Sequence, residues 1–169
     1  NELYVKYHDE EWGVAVHDDA HLFEMLVLEM FQAGLSWECV LNKREAFRRA
    51  FDGFDCQMMA SYDEERIEAL AKDMTIIRNR RKIRAAVANA RIFIDIQREY
   101  GTFDAYIWGW TGGRTVYERG LSSSSLSDAV SADLRRRGMT FVGTTIVYSY
   151  LQAVGIIYSH DKECFLYAK

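Results

Sequence analysis

The sequence predicts an all-α protein, an orthogonal bundle of helices, and three observations lead there. Apolar residues recur at helical spacing through most of the chain. None of the 169 residues is proline, the commonest helix breaker. No segment alternates polar and apolar with period two for long enough to demand a sheet.

Composition narrows the class. At 49% hydrophobic and 27% charged residues the chain excludes disordered, collagen-like and low-complexity readings. Its apolar runs fall well short of the ~20 residues that span a bilayer. No basic segment followed by an apolar one opens the chain, so no secretory signal is read there. Asn1, rather than Met, at the start is read as the loss of some N-terminal residues. Cys39, Cys56 and Cys164 are too few and too scattered for a disulfide framework, so a soluble, cytoplasmic protein is expected. A net charge of −4 argues against a general nucleic-acid coat but leaves room for a DNA enzyme with one basic face. Residues 1–169 are expected to form one domain without internal repeats.

The elements follow in order. Asp18 or Asp19 caps a helix over about 20–33, with Leu22, Met25, Leu26 and Ala33 along one stripe. Gly34 and Leu35 break it. Ser36 then caps a helix from Trp37 to about Phe51 whose outer face carries Lys43, Arg44, Arg48 and Arg49. Ser61 with Glu64 reads as a capping box for a third helix ending near Lys72. A long fourth helix runs from about Arg80 to Tyr100 and stops at Gly101. Residues 102–124 are the least regular. Ser125 with Asp128 caps a fifth helix ending at Gly138, and Phe141 to Ile157 reads as a buried sixth.

Four constellations could carry chemistry. Glu29 sits on the apolar stripe of the first of these helices, where a carboxylate must be paired or face a cavity because a lone buried charge is costly. A structural salt bridge is the bland alternative. Tyr4, Tyr7, Trp12 and Trp37 offer flat faces that stack on nucleobases and attract cationic rings, although single aromatics more often just fill a core. His160 and Cys164, four apart, could share a zinc ion with the distant His8, which leaves a four-coordinate site one ligand short. Arg78, Arg80, Arg81, Lys82 and Arg84 fall at a turn and a helix start, where phosphate is favoured, or they form a solvated charged face; Arg135 to Arg137 are a second such cluster.

Several longer blocks then carry a resemblance. YHDEEWGV (7–14), LFEMLVLE (22–29), QAGLSW (32–37), IIRNRRKIRAAVANAR (76–91) and RGMTFVGTTIVYSYLQAVG (137–155), with His160 and Cys164, resemble the signature blocks of 3-methyladenine DNA glycosylase I, in order and over essentially the whole chain. The resemblance implies a helix-hairpin-helix glycosylase fold with the active site between two lobes. It implies a monofunctional enzyme that flips N3-methyladenine out of alkylated double-stranded DNA; a monomer without an obligate protein partner is expected. Hydrolysis of the N-glycosidic bond then leaves an abasic site; a binding module that recognises alkylated or single-stranded DNA without turnover is the alternative.

Position by position, Glu29 matches the catalytic pocket carboxylate that reads the amino edge of the base. Tyr7 and Trp37 match aromatic pocket linings and Trp12 a further wall, with Tyr4 beside them. Leu35, in the Gly34-Leu35 turn, matches the residue that enters the DNA stack, and Arg78, Arg80 and Lys82 are expected at the phosphates. His8, His160 and Cys164 match three ligands of a structural zinc, whose fourth ligand, a Cys, belongs to a motif upstream of Asn1, as does one aromatic wall residue. The hairpin departs from the family pattern: Met74-Thr75 stand where Ala-Gly is usual, and Arg81 replaces a Gly.

Overall fold

A computed structural model describes residues 1–160. Ten α-helices dominate among the described residues: α1 (Glu2–Glu10), α2 (Asp19–Gln32), α3 (Trp37–Asn42), α4 (Arg44–Ala50), α5 (Cys56–Ala60), α6 (Glu64–Ala71), α7 (Arg80–Tyr100), α8 (Phe103–Gly109), α9 (Ser125–Arg136) and α10 (Thr144–Ala153). A 3₁₀ turn at Asp52–Phe54 follows α4. Two short strands, β1 (Val116–Tyr117) and β2 (Ile157–Tyr158), pair in parallel with Val116 opposite Ile157. The all-α expectation holds, with this small sheet as a local addition.

Helix α2 is the axis of the molecule. Every residue from Leu22 to Phe31 is buried, so it is wrapped on all sides instead of being amphipathic. Asp18 caps it, accepting from the His21 amide. Asp19 turns outward from the same start and accepts from the Phe103 and Asp104 amides at 2.9 Å each, anchoring the first turn of α8. Tyr150 of α10 donates to the Leu22 carbonyl (2.8 Å), so α10 lies against α2 with this buried hydroxyl satisfied.

Helix α7 has the bounds expected: Asn79 caps it through the Lys82 amide (3.1 Å), and Gly101 ends it at φ 87°. Its buried Asn89 exchanges two hydrogen bonds with the Thr140 backbone, 2.9 Å and 3.1 Å, which fixes the turn leading into α10. At the end of α10, Gly155 packs where a Cβ would come within 2.6 Å of the Ala15 amide nitrogen, at φ 82°, so only glycine lets the chain pass the 13–16 segment.

Several boundaries differ from expectation. The helix expected over 37–51 is two helices broken at Lys43 (φ −103°, ψ 1°), with no Gly or Pro to mark the break. Asp63, not Ser61, caps α6; the Ser61 hydroxyl donates back to the Met58 carbonyl and closes α5. Ser124 with Ser127, one residue before the expected pair, forms the capping box of α9. The expected helix over 141–157 is helical only from Thr144 to Ala153 and ends in β2, while the irregular 102–124 segment holds α8 and β1. Among the described residues no helix is long and apolar enough to cross a membrane.

Candidate active site

Helices α1, α2, α3 and α10 and the end of β2 enclose a cavity of about 390 Å³. Tyr4, Tyr7, His8 and Trp12 line it from one side, Glu29, Gln32 and Trp37 from the second, and Ser149, Gln152, Ser159 and His160 from the third. The fold therefore brings Glu29 and all four expected aromatics to one place.

Glu29 is 4% exposed, and among the described residues its carboxylate has no hydrogen-bond or ion-pair partner. The salt bridge that would make it structural is not there. Burial alone drives its pKa up to about 8, so the acid is held close to its neutral form at physiological pH. Such a group in a cleft is a site candidate on physical grounds.

Polar groups are left over beside it as well. Among the described residues the Tyr7 hydroxyl and the Trp37 indole N–H are buried without hydrogen-bond partners. Both belong to wall residues, and their rings meet at 5.2 Å with planes 56° apart. Buried donors of this kind are costly unless something arrives to pair with them. Burial, followed by the nearby Glu29 charge, pushes the Tyr7 hydroxyl far above its ordinary range, so it stays a donor. Trp12 stacks on His8 (5.6 Å, 18°) and meets His160 edge-on (4.7 Å). Tyr4 is 45% exposed at the rim.

A charged network fixes α1, and with it Tyr7. Arg44 donates two 2.8 Å hydrogen bonds to Glu11, just past the end of α1, and a third of 2.8 Å to Glu24 of α2. Burial alone would raise the Glu11 pKa, but hydrogen bonds from His21 and Arg44 outweigh it and hold the carboxyl down at about 2. Arg44 was expected on an outer helix face; its side chain is only 13% exposed.

The expected DNA-facing residues separate. Gly34, at φ 79°, and the half-exposed Leu35 form the turn between α2 and α3, and Gln32 Nε2 donates to the Leu35 carbonyl (2.6 Å). Arg78 is exposed and has no ion pair among the described residues. Arg80 is exposed but paired with Glu68 at 2.8 Å. Lys82 corrects the expectation outright. It is 6% exposed, and its ammonium donates to the Phe31 (2.9 Å) and Ala33 (2.6 Å) carbonyls, so it serves the interior and not the phosphates. Helix α6, the 72–79 turn and α7 make the hairpin, and Met74, Thr75 and Arg81 all keep negative φ, so its backbone does not call for the missing glycines. In the second cluster, Arg137 is bound to Glu99 (2.6 Å) and Asp133 (2.8 Å).

For the metal, His8 and His160 lie edge to face at 4.9 Å, with His160 Nε2 2.8 Å from the Trp12 carbonyl. A carbonyl contact of this sort fixes the tautomer of a ligating histidine. Cys164 lies outside the described residues, and among the described residues no group of three or more His, Cys, Asp or Glu could hold a metal.

Gln32, Ser149, Gln152 and Ser159 were not anticipated as cavity residues. A signal existed for two of them: Ser149 and Gln152 are polar positions three apart in the mostly apolar second half of α10, hence on one face.

Comparison with known proteins decides the family. The methyladenine glycosylase profile matches residues 1–167. The chain belongs to the methyladenine glycosylase family. Among its relatives, DNA-3-methyladenine glycosylase 1 of Escherichia coli is 43% identical over 98% of this chain and 91% of that protein. A crystal structure of 3-methyladenine DNA glycosylase I superposes with a TM-score of 0.94 at 41% identity, covering 98% of this chain and 94% of that one. A tyrosine-to-phenylalanine variant of a 3-methyladenine DNA glycosylase I, solved with 3-methyladenine bound, also reaches 0.94 at 30% identity, over 97% and 91% of the two chains.

Proposed function

We propose that this methyladenine glycosylase excises N3-methyladenine from alkylated DNA by hydrolysing the N-glycosidic bond, leaving an abasic site. The observation that carries this reading is the unpartnered Glu29 carboxyl in an aromatic-walled cavity. A base must leave the duplex to reach such a cavity, at a cost of a few kcal/mol that is smallest for damaged pairs.

N3-methylation makes the adenine in DNA cationic and a good leaving group, so little acid catalysis is required. What is required is a pocket that prefers the cation. Tyr7 and Trp37 stack on the base, worth roughly 1–3 kcal/mol with a cation–π contribution for the charged ring. Glu29, ionised as the cation enters, accepts a hydrogen bond from the exocyclic amine. The unpaired Tyr7 hydroxyl and Trp37 N–H gain a ligand to which they can donate. Neutral adenine offers the amine without the charge, and binds less well. As the bond breaks, positive charge moves to the sugar, giving an oxocarbenium-like centre that water attacks.

Leu35 fills the gap in the stack, and exposed Arg78, with Arg80 once released from Glu68, meets the backbone phosphates. His8, His160 and Cys164 would hold a structural zinc, which would supply a clasp between the N-terminal helix and the C-terminal segment and no chemistry at the base. Treatment with a chelator is expected to release zinc, read by elemental analysis, and to lower the melting temperature; a metal-free protein with an unchanged melt would overturn the clasp.

The test of the function is release of bases from methylated duplex DNA, separated by chromatography, for wild type and Glu29→Gln. Wild type is expected to release 3-methyladenine, and the variant to be roughly 10- to 100-fold slower, hydrogen bonds to charged groups being worth ~1.5–3 kcal/mol. DNA binding without release by folded wild type would establish the non-catalytic binding module instead.

A further inference from the structure

Helix α2 ends without a cation of its own: no basic residue lies in its last turn. The carbonyls there carry the negative end of the helix dipole and have no intrahelical donors. Lys82 supplies both needs from another element. Its ammonium reaches in from the first turn of α7 and bonds the Phe31 and Ala33 carbonyls at 2.9 Å and 2.6 Å. The next residues are Gly34 and Leu35, and the turn is tied again by Gln32 Nε2 to the Leu35 carbonyl and by the Leu35 amide to the Gln32 carbonyl (2.8 Å). Ser36 then caps α3, where Trp37 enters the cavity.

One side chain thus bridges the basic hairpin start, with exposed Arg78, Arg80 and Arg81 around it, to the turn that presents Leu35. We propose that Lys82 is a positioning residue that sets the Leu35 turn at the height needed to extrude a base, coupling backbone engagement at the hairpin to insertion of Leu35. This rests on the reading of Leu35 as the residue entering the stack. Lys82 touches neither base nor phosphate. A solvent-exposed surface lysine does not take this role, because the bond to the Phe31 carbonyl is buried.

The consequence is selective. Extrusion is demanded by duplex DNA and hardly at all by a single strand. Lys82→Met keeps the stem and removes the ammonium, and Lys82→Gln retains an amide donor for one carbonyl. Both are compared with wild type and Leu35→Ala for 3-methyladenine release from methylated duplex and methylated single-stranded DNA, and for free 3-methyladenine binding by tryptophan fluorescence. Lys82→Met is expected to lose at least about tenfold in duplex excision while single-strand release and free-base binding change by less than about threefold, with Lys82→Gln intermediate. Equal losses on both DNAs, with weakened base binding, would make Lys82 merely structural and overturn the proposal. If Leu35→Ala itself shows no duplex-selective loss, the reading of Leu35 fails; if Leu35→Ala is selective and neither Lys82 variant is, the coupling alone fails.

Discussion

Glu29 is a carboxylic acid whose environment works against its charge. Its pKa stands at about 8 against an ordinary 4.5, and burial is the cause. Below pH 4.5 the folded and unfolded chains both carry this proton, and its ionisation adds no penalty. Between pH 4.5 and 8 the folded chain keeps a proton that the unfolded chain has released, so stability falls with rising pH, by at most roughly 1.4 kcal/mol per unit. Above pH 8 the loss is complete. Glu29→Gln removes this slope, so its melting temperature is expected to exceed that of wild type by a gap that widens from pH 5 to pH 8. Thermal melts at those two values check it; a constant gap would mean that Glu29 is paired in solution. At this scale the sequence was informative, because a carboxylate on an apolar stripe announces itself. Lys82 was not legible in the same way: it stands within a basic run, and only the packing of α7 against the end of α2 shows that it points inward.

Between elements, the position of Tyr7 depends on how α1 is held. Helix α1 buries only Tyr7, and its Leu3 and Val5 are more than half exposed, so hydrophobic burial does little to dock it. The Glu11–Arg44–Glu24 network does this instead, with all three side chains largely buried. Arg44→Met would leave Glu11 with His21 and Glu24 with Arg48 as their remaining partners and is expected to cost about 1.5–3 kcal/mol in a denaturant titration. Arg44→Lys should recover only part, since one ammonium cannot reproduce the planar fork that meets Glu11 twice. A loss below about 1 kcal/mol for Arg44→Met would show the network to be solvated. The same exposure explains why α1 could not be read as a helix: no apolar stripe marks it. Helix α7 was legible to the residue because a cap, a strong periodicity and a glycine stop all agree. Broken ladders such as Lys43, and competing caps such as Ser61 against Asp63, are decided by tertiary contacts that local pattern does not contain.

Across the whole molecule, an acidic chain of net charge −4 carries a base-sized cavity walled by segments as far apart in sequence as Tyr4 and His160. The all-helical class and the family blocks were readable because they are local; Ser149, Gln152 and Ser159 joined the site only once α10 and β2 had packed against α2. The function rests on an ionised Glu29 meeting a cationic base inside this cavity. The most direct measurement is kcat/KM for 3-methyladenine release from duplex DNA between pH 6 and pH 9.5, for wild type and Glu29→Gln, since that ratio reports the ionisations of the free enzyme. Wild type is expected to rise with pH to a plateau above about pH 8, and Glu29→Gln to be lower and flat through the same range. A flat wild-type profile, or a rise that survives in Glu29→Gln, would contradict it.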